Sequence, residues 1–389
     1  MKGRLIAVRD LTAADEKKWR DLADRAVEPN PLCEPECIVP AARYQTFGAE
    51  ISLLVAEEGD RFQACLPIRP LRHWYNIRYP VAANKVRRAT QVGTPLVDPT
   101  AGTAAVATML TTLADERRAL GCRLFGLDSL REGGPVAAYV HGAAAQLGLP
   151  VYVAEDFQRA LFVRRPTLIP TYFDDLSAKR RKAIRRSRRL LTEEFGTPPG
   201  IVDRSLDLSA IDEFMALEAA GYKAVNGVAL ATVPGETEYF RSMCEGFAES
   251  KRLLVLALEC GGQTLGMQIW LRGADGLFGV KVAYDERYAR SGPGALLHVD
   301  SFDFIHHETD ATWADPCASP ENDFLMRLYP GRTRMSTLLF ALRGPVDHLL
   351  VSSLPHIRVL RRRVRSLLAS GGPVESEPTT EPTQDTDSP

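Results

Sequence analysis

Apolar and polar positions alternate most regularly between residues 253 and 284. Three runs there, 253–259, 264–272 and 277–284, read as strands, separated by Cys260-Gly261-Gly262-Gln263 and Gly273-Ala274-Asp275-Gly276, both compact turn sequences. The pattern predicts an antiparallel meander. Strict alternation puts Phe278, Val280, Val282 and Tyr284 on one face of the third strand and Leu277, Gly279, Lys281 and Ala283 on the other. In the second strand Leu265, Met267, Ile269 and Leu271 lie opposite Gly266, Gln268, Trp270 and Arg272. One face is core. The other is polar and aromatic and includes Gly279, and a glycine inside a strand often marks close approach by a ligand or another backbone. These features predict a pocket wall.

Past Tyr284 the period becomes helical, with Leu296, Leu297, Val299, Phe302 and Ile305 following Ser291-Gly292-Pro293-Gly294-Ala295. Ser291 or Gly292 can cap, Pro293 suits the first turn, and Gly294 and Ala295 carry no bulk to shield the backbone amides. Free N–H groups at the positive end of a helix would receive a pyrophosphate without a lysine. The plain alternative is an ordinary strand-to-helix turn.

The same order of elements occurs earlier. Thr12-Ala13-Ala14-Asp15 is a capping-box start for a helix to about Val27, 39–47 reads as a second helix, and 51–57 and 62–69 form strands across Glu58-Gly59-Asp60. Helix 101–120, strand 123–127, helix 136–147 and strand 151–155 follow. The later helices 208–220 and 236–250 lead into the meander in the same way, so a duplicated α/β unit is inferred. Beyond the meander, a short strand over 312–314 is expected to splay from 277–284, with a last strand at 336–342 and a helix over 345–368. From Gly371 onward the chain is Pro, Thr, Glu, Asp and Ser without apolar anchors, a disordered acidic tail.

Composition changes the picture little. The 389 residues are 45% hydrophobic and 25% charged with a net charge of -1, an ordinary globular balance that argues against a wholly basic nucleic-acid binder. No run reaches the roughly 18 apolar residues of a spanning helix, and the first ten residues lack a signal-peptide core, so a cytoplasmic protein is expected. Seven scattered cysteines suggest reduced thiols. Cys33 and Cys37 lack a second pair, so no metal is expected. Charge is concentrated in one place: eight of the eleven residues 179–189 are Lys or Arg, around the helically spaced Phe173, Leu176, Ile184, Leu191 and Phe195. A solvated face, a site for anionic ligands and a polyanion contact are the competing readings, and the absence of interleaved aromatics disfavours single-strand stacking.

The strand, loop and helix resemble the GNAT acyltransferase superfamily, in which the pantetheine arm of an acyl-CoA lies along a central strand and its pyrophosphate sits on the following helix. Ala289-Arg290-Ser291-Gly292-Pro293-Gly294 keeps the two glycines of that loop, with alanine at the first position and Arg290 one place later. The chain also resembles CelD-like (cellulose biosynthesis protein-like) acyltransferases, relatives of the FemAB peptidyltransferases. The blocks Leu176-Ser177-Ala178-Lys179-Arg180-Arg181-Lys182-Ala183-Ile184-Arg185-Arg186, Leu217-Glu218-Ala219-Ala220-Gly221-Tyr222-Lys223, Ala283-Tyr284-Asp285 through Gly294, and Trp313-Ala314-Asp315-Pro316-Cys317-Ala318 occur in the right order across roughly 170–340.

The resemblance implies an α/β (α+β) fold of two GNAT-like units in tandem, each a mixed, largely antiparallel sheet flanked by helices. The expected division is 1–157, shaping the acceptor pocket, 158–370, holding the donor, and the tail 371–389. The implied activity is N-acyl transfer, acetyl transfer in the family's usual form, from acetyl-CoA or another acyl-CoA to a small-molecule or envelope-related amine. The alternatives are a FemAB-like aminoacyl-tRNA-dependent transferase, with tRNA on the basic helix 179–190, and a non-catalytic binding protein of a polysaccharide or envelope pathway. Gly279, Val282, Arg290, Ser291, Gly292, Gly294 and Ala295 would bind the cofactor. Lys223, Gln268 and Trp270 would contact substrate. Glu218 or Asp315 could accept a proton, Lys281 could contact substrate charge, and Tyr284 could protonate the departing sulfur.

Overall fold

Thr12 and Asp15 exchange backbone and side-chain hydrogen bonds of 3.1 and 3.2 Å, and this capping box starts α1 (Ala13–Arg25). It follows β1 (Lys2–Ala7) in a computed structural model that describes residues 1–75, 77–86, 92–167, 171–221, 227 and 229–356. Next come α2 (Pro35–Tyr44), β2 (Ser52–Glu58), β3 (Arg61–Leu71), β4 (Val81–Ala83), β5 (Leu96–Val97), α3 (Gly102–Glu116), β6 (Leu124–Arg131), α4 (Pro135–Gln146) and β7 (Val151–Val163). The basic helix α5 (Ala178–Phe195) leads to β8 (Gly200–Asp203), α6 (Ser209–Ala219), α7 (Glu236–Glu249), β9 (Leu253–Cys260), β10 (Gln263–Gly273) and β11 (Gly276–Tyr284). The described chain closes with α8 (Pro293–Glu308), β12 (Trp313–Asp315), α9 (Asp323–Leu328), β13 (Gly331–Ala341) and helical turns over 345–356. The expected acidic tail and the remainder of the helix expected over 345–368 lie outside the described residues.

Leaving β5 aside, the elements β1 to β7 and β8 to β13 repeat one order, strand, helix, helix, three strands, helix, strand, helix, strand, with α5 as the link. This is the duplicated unit inferred from the sequence. The two halves share one mixed sheet in the order β1-β2-β3-β4-β6-β13-β7-β12-β11-β10-β9-β8, with β5 paired to β3.

The last strands are exchanged. β13 inserts between β6 and β7, while the far end of β7 pairs with β12. β7 therefore runs to Val163, well past the predicted end at residue 155, and the division at 157/158 falls inside it. Its polar stretch Glu155, Asp156, Gln158 and Arg159 reads as a loop in isolation. It is held extended because β13 pairs with it from Val151 to Leu161.

Two β-bulges alter the predicted faces of the meander. Between β10 and β11 the pairing steps from Ile269↔Lys281 to Trp270↔Gly279, leaving Val280 as the extra residue. Paired residues share a face, so Lys281 and Ala283 lie with Phe278, whereas Leu277 and Gly279 lie with Val282 and Tyr284. The strict alternation expected from the sequence fails for that reason. A second irregularity at Leu265, between β9 and β10, moves this residue away from Met267, Ile269 and Leu271. The last three pack with Phe278 beneath α6 and α7, while Leu265, Trp270 and Leu277 pack beneath α5 and α8.

Candidate active site

β11 and β12 pair in parallel for three residues only, Gly276↔Trp313, Leu277↔Ala314 and Phe278↔Asp315. The strands then part. Gly279 stands at the parting, where a Cβ would lie 3.0 Å from the Cα and carbonyl oxygen of Pro316. A cavity of about 520 Å³ opens there, walled by Gly279–Val282 and Pro316–Ala318. Its lining includes Tyr239 and Phe240 from the α7 side and Trp270 and His298 from the α8 side, so it passes through the sheet. A second cavity of about 340 Å³ is lined by Tyr284 and Gly292–Ala295 and shares Val282, His298, Asn322 and Leu325 with the first. Together they make one groove from a helix start, along β11, to the split.

The helix start has the form the sequence suggests. Gly292 sits in the left-handed region at φ 63°, its N–H donates to Ala289 O at 3.1 Å, and its carbonyl accepts from Leu296 at 3.3 Å. Pro293 has no N–H. Among the described residues no acceptor meets the amides of Gly294 and Ala295, which line the groove. Arg290 is exposed and Ser291 is buried, and neither lines the groove. The basic helix α5 lies alongside, with Ser187 Oγ 2.9 Å from where a Cβ on Gly292 would be.

A buried polar ladder backs the junction of the two cavities. The Trp270 indole N–H donates to Gln268 Oε1 at 3.1 Å, and because an indole can only donate, the orientation of the Gln268 amide follows. Gln268 Nε2 then donates to His298 Nδ1 at 2.7 Å, and the Tyr329 hydroxyl lies 3.0 Å from the same nitrogen. Nδ1 is therefore an acceptor and Nε2 carries the hydrogen. Burial pushes the His298 pKa down to about 4, so the ring is neutral at physiological pH. Gln268 and Trp270 do line the cavity, but their polar ends are engaged with each other and with His298. The sequence reading missed His298, which stands between the apolar Leu297 and Val299 on the helix behind the loop.

Glu218 on α6 and Lys281 on β11 meet at 2.7 Å. Glu218 is 1% exposed, and its other oxygen accepts the Leu230 N–H at 2.9 Å. Lys281 lines the cavity and Glu218 lies behind it. Asp315 is fully buried and lies off the lining. One oxygen meets Arg159 and, at 3.6 Å, Arg131, while the other accepts the Cys317 N–H at 2.7 Å. Both arginines come from the first half, on β6 and β7, so this carboxylate is committed to holding β12 in place. Tyr284 stands against Gly294, its ring 3.2 Å from where a Cβ would be. At about 3.3 Å per residue, that is roughly 15 Å along β11 from Gly279. It stands at the helix start, away from the split. Lys223 lies outside the described residues.

The first half carries the matching split in closed form. β4 and β6 pair over Val81↔Leu124, Ala82↔Phe125 and Ala83↔Gly126, and the next residue is Asn84. Its amide donates to Asp128 O at 3.1 Å and Gly93 O at 3.3 Å, while its oxygen accepts Asp128 N–H at 2.7 Å. Ahead of the corresponding helix the Asp98 carboxylate accepts the Thr100 N–H at 2.9 Å and pairs with Arg25 at 2.6 Å, and the Asp98 carbonyl accepts the Gly102 N–H at 3.1 Å. Part of the loop before it, 87–91, lies outside the described residues.

A parallel strand pair that parts beside an open helix start defines the GNAT acyltransferase fold. Residues 178–321 match the family model described as an acetyltransferase (GNAT) domain. Among solved structures, FemX is similar with a TM-score of 0.57 and 7% identity, over 90% of this chain and 100% of that one. The C-terminal domain (DUF2156) of a putative lysylphosphatidylglycerol synthetase from Agrobacterium fabrum is similar with a TM-score of 0.52 and 12% identity, over 87% of this chain and 95% of that one. A conserved protein of unknown function from Bacteroides thetaiotaomicron gives a TM-score of 0.51 and 10% identity, over 86% of this chain and 98% of that one. These likenesses show a shared fold. No curated protein matches the chain. Among the described residues no helix is long and apolar enough to cross a membrane, and no group of three or more His, Cys, Asp or Glu could hold a metal ion.

Proposed function

We propose that the protein transfers an acyl group from acyl-CoA to an amine by direct attack in a ternary complex. The observation that carries this reading is the continuous groove from the open amides of Gly294 and Ala295, along β11, to the split at Gly279. A pyrophosphate at the helix start and an extended arm along β11 would bring a thioester to the opening. There the amine nitrogen bonds to the acyl carbon, the carbon–sulfur bond breaks, and a proton from nitrogen ends on the sulfur. Lys281, held by Glu218, and the edge of β11 that has lost its partner strand are suited to polarise the carbonyl oxygen. The N–H of His298 can steady the departing sulfur.

A second donor, aminoacyl-tRNA, is favoured by one observation. The basic helix α5 meets the loop at Ser187 and exposes Lys179, Lys182 and Arg186. Part of its charge is already engaged, since Arg188 pairs with Asp300 at 2.7 Å and Arg181 caps the carbonyls of Asp174 and Leu176 at 2.8 and 2.7 Å. The deciding experiment is thiol release from acetyl-CoA in the presence of a panel of primary amines, run beside tRNA binding at low and high salt. Amine-dependent thiol release supports acyl-CoA as donor. Its absence, together with salt-sensitive tRNA binding, would replace that donor with aminoacyl-tRNA. Absence of both would leave a non-catalytic binding protein.

A further inference from the structure

Among the described residues, the cavity at the split is lined by one buried hydrogen-bond acceptor without a donor and by one carboxylate without a cationic partner. Gln45 follows the end of α2 in the first half, is buried, and lines the cavity together with Glu236, the first residue of α7 in the second half. The Gln45 amide nitrogen donates to Glu236 Oε1 at 2.9 Å, which fixes the orientation of the amide. Among the described residues its carbonyl oxygen is left buried without a hydrogen-bond partner. A buried acceptor in that state is costly unless a ligand donates to it.

The charges on the lining point the same way. The Lys281 ammonium is matched by Glu218 behind it, and His298 is neutral. The Glu236 carboxylate has no Lys or Arg partner among the described residues, so it is the unmatched charge on the lining. The juxtaposition is firmly built. Gly235 has φ 76°, and any Cβ there would collide with the carbonyl oxygen of Tyr44, so the start of α7 is seated directly on the end of α2.

The geometry points to an ammonium-binding site at Gln45 and Glu236, which makes the acceptor a small primary amine with an apolar body. The ammonium donates to the Gln45 carbonyl oxygen and the Glu236 carboxylate. The apolar body packs against Leu230, Val233 and Phe240, which line the same cavity. This inference rests on the acyl-transfer reading for the identity of the acceptor, but the binding it describes requires no donor. Sequence reasoning could not assemble the site, because its two polar groups are separated by 190 residues and belong to different halves.

The test is direct binding, without acyl-CoA, of phenethylamine and its neutral counterpart 2-phenylethanol to wild type, Glu236→Gln and Gln45→Leu. Circular dichroism and melting temperature establish that each variant is folded. Saturable binding of the amine, weakened roughly 10- to 100-fold by Glu236→Gln and by Gln45→Leu, with no comparable binding of the alcohol, is the expected result. The inference is overturned if the wild type binds no amine, if the alcohol binds as well as the amine, or if folded Glu236→Gln binds as wild type does. Acetyl-CoA titration of the same samples separates the two readings. Amine binding without acyl-CoA binding would remove the donor and leave the ammonium site standing.

Discussion

Asn84 and Gly279 occupy equivalent places, each one residue past a three-residue parallel ladder, and the side chain of Asn84 fills the opening that Gly279 leaves empty. The duplicated halves differ most consequentially at this pair. Gly279→Asn should rebuild the plug of the first half in the second. A Cβ at 3.0 Å from the Pro316 backbone costs about 1–3 kcal/mol of stability by overpacking. Turnover should fall by about 100-fold or more, because the reacting groups can no longer meet through the sheet. Steady-state kinetics beside thermal melts would check this, since a modest melting shift with full activity would mean that the opening is not used.

Glu218 and Lys281 call for a double-mutant cycle. Glu218→Gln removes one member of a buried ion pair and should cost roughly 3 kcal/mol, since it leaves the ammonium uncompensated. Adding Lys281→Met should recover much of that loss in denaturant melts. If the pair acts in the chemistry, the double variant regains stability and stays inactive. If it is structural, both return together.

Asp315 is expected to behave as a latch between halves. Asp315→Asn strands the guanidinium groups of Arg159 and Arg131 in the interior, at a cost of about 3–5 kcal/mol. The loss should appear as lowered cooperativity or solubility of the whole chain, because β12 abuts β7 and β13 completes the first half. Urea melts of this variant, followed by circular dichroism, would show it.

His298 makes stability depend on pH in a definite direction. Its pKa falls from 6.5 unfolded to about 4 folded, so between these values the unfolded chain binds more protons and stability drops as pH falls through the window. At about 1.4 kcal/mol per unit, the contribution amounts to up to roughly 3 kcal/mol. Asp128 and Asp300, both pushed up to about 6 by burial, work the other way, favouring the fold at low pH and losing that benefit as pH rises through about 6. The informative quantity is therefore the difference between wild type and His298→Gln. The variant should lose less stability than wild type between pH 6.5 and 4, and parallel urea titrations across that range would contradict the assignment if the two curves kept a constant separation.

Much of the second half was legible because its signals are local. The period-2 runs, the two tight turns and the Gly-Pro-Gly helix start together specify β9 to α8 within a few residues. What stayed hidden depends on distant partners. The bulge at Val280 changes which residues share a face with Lys281, and nothing in the run Gly279-Val280-Lys281 signals it beyond the glycine. The polar length of β7 is strand only because β13 pairs with it from the far end of the chain. Asp315 looks like a free carboxylate until Arg131 and Arg159 are folded against it. Gln45 looks like the end of an unremarkable helix until Glu236 is placed beside it.

The most direct measurement is calorimetric titration of acetyl-CoA into wild type and Ala295→Glu. Ala295 already carries a Cβ and lines the groove, so the longer acidic side chain places a negative charge at the helix start with less disturbance than at Gly294, where the Tyr284 ring crowds the added atoms. Saturable binding to wild type, lost in a folded Ala295→Glu protein, is the expected result. Absence of binding to wild type, or equal binding to both, would contradict the placement of the donor along β11.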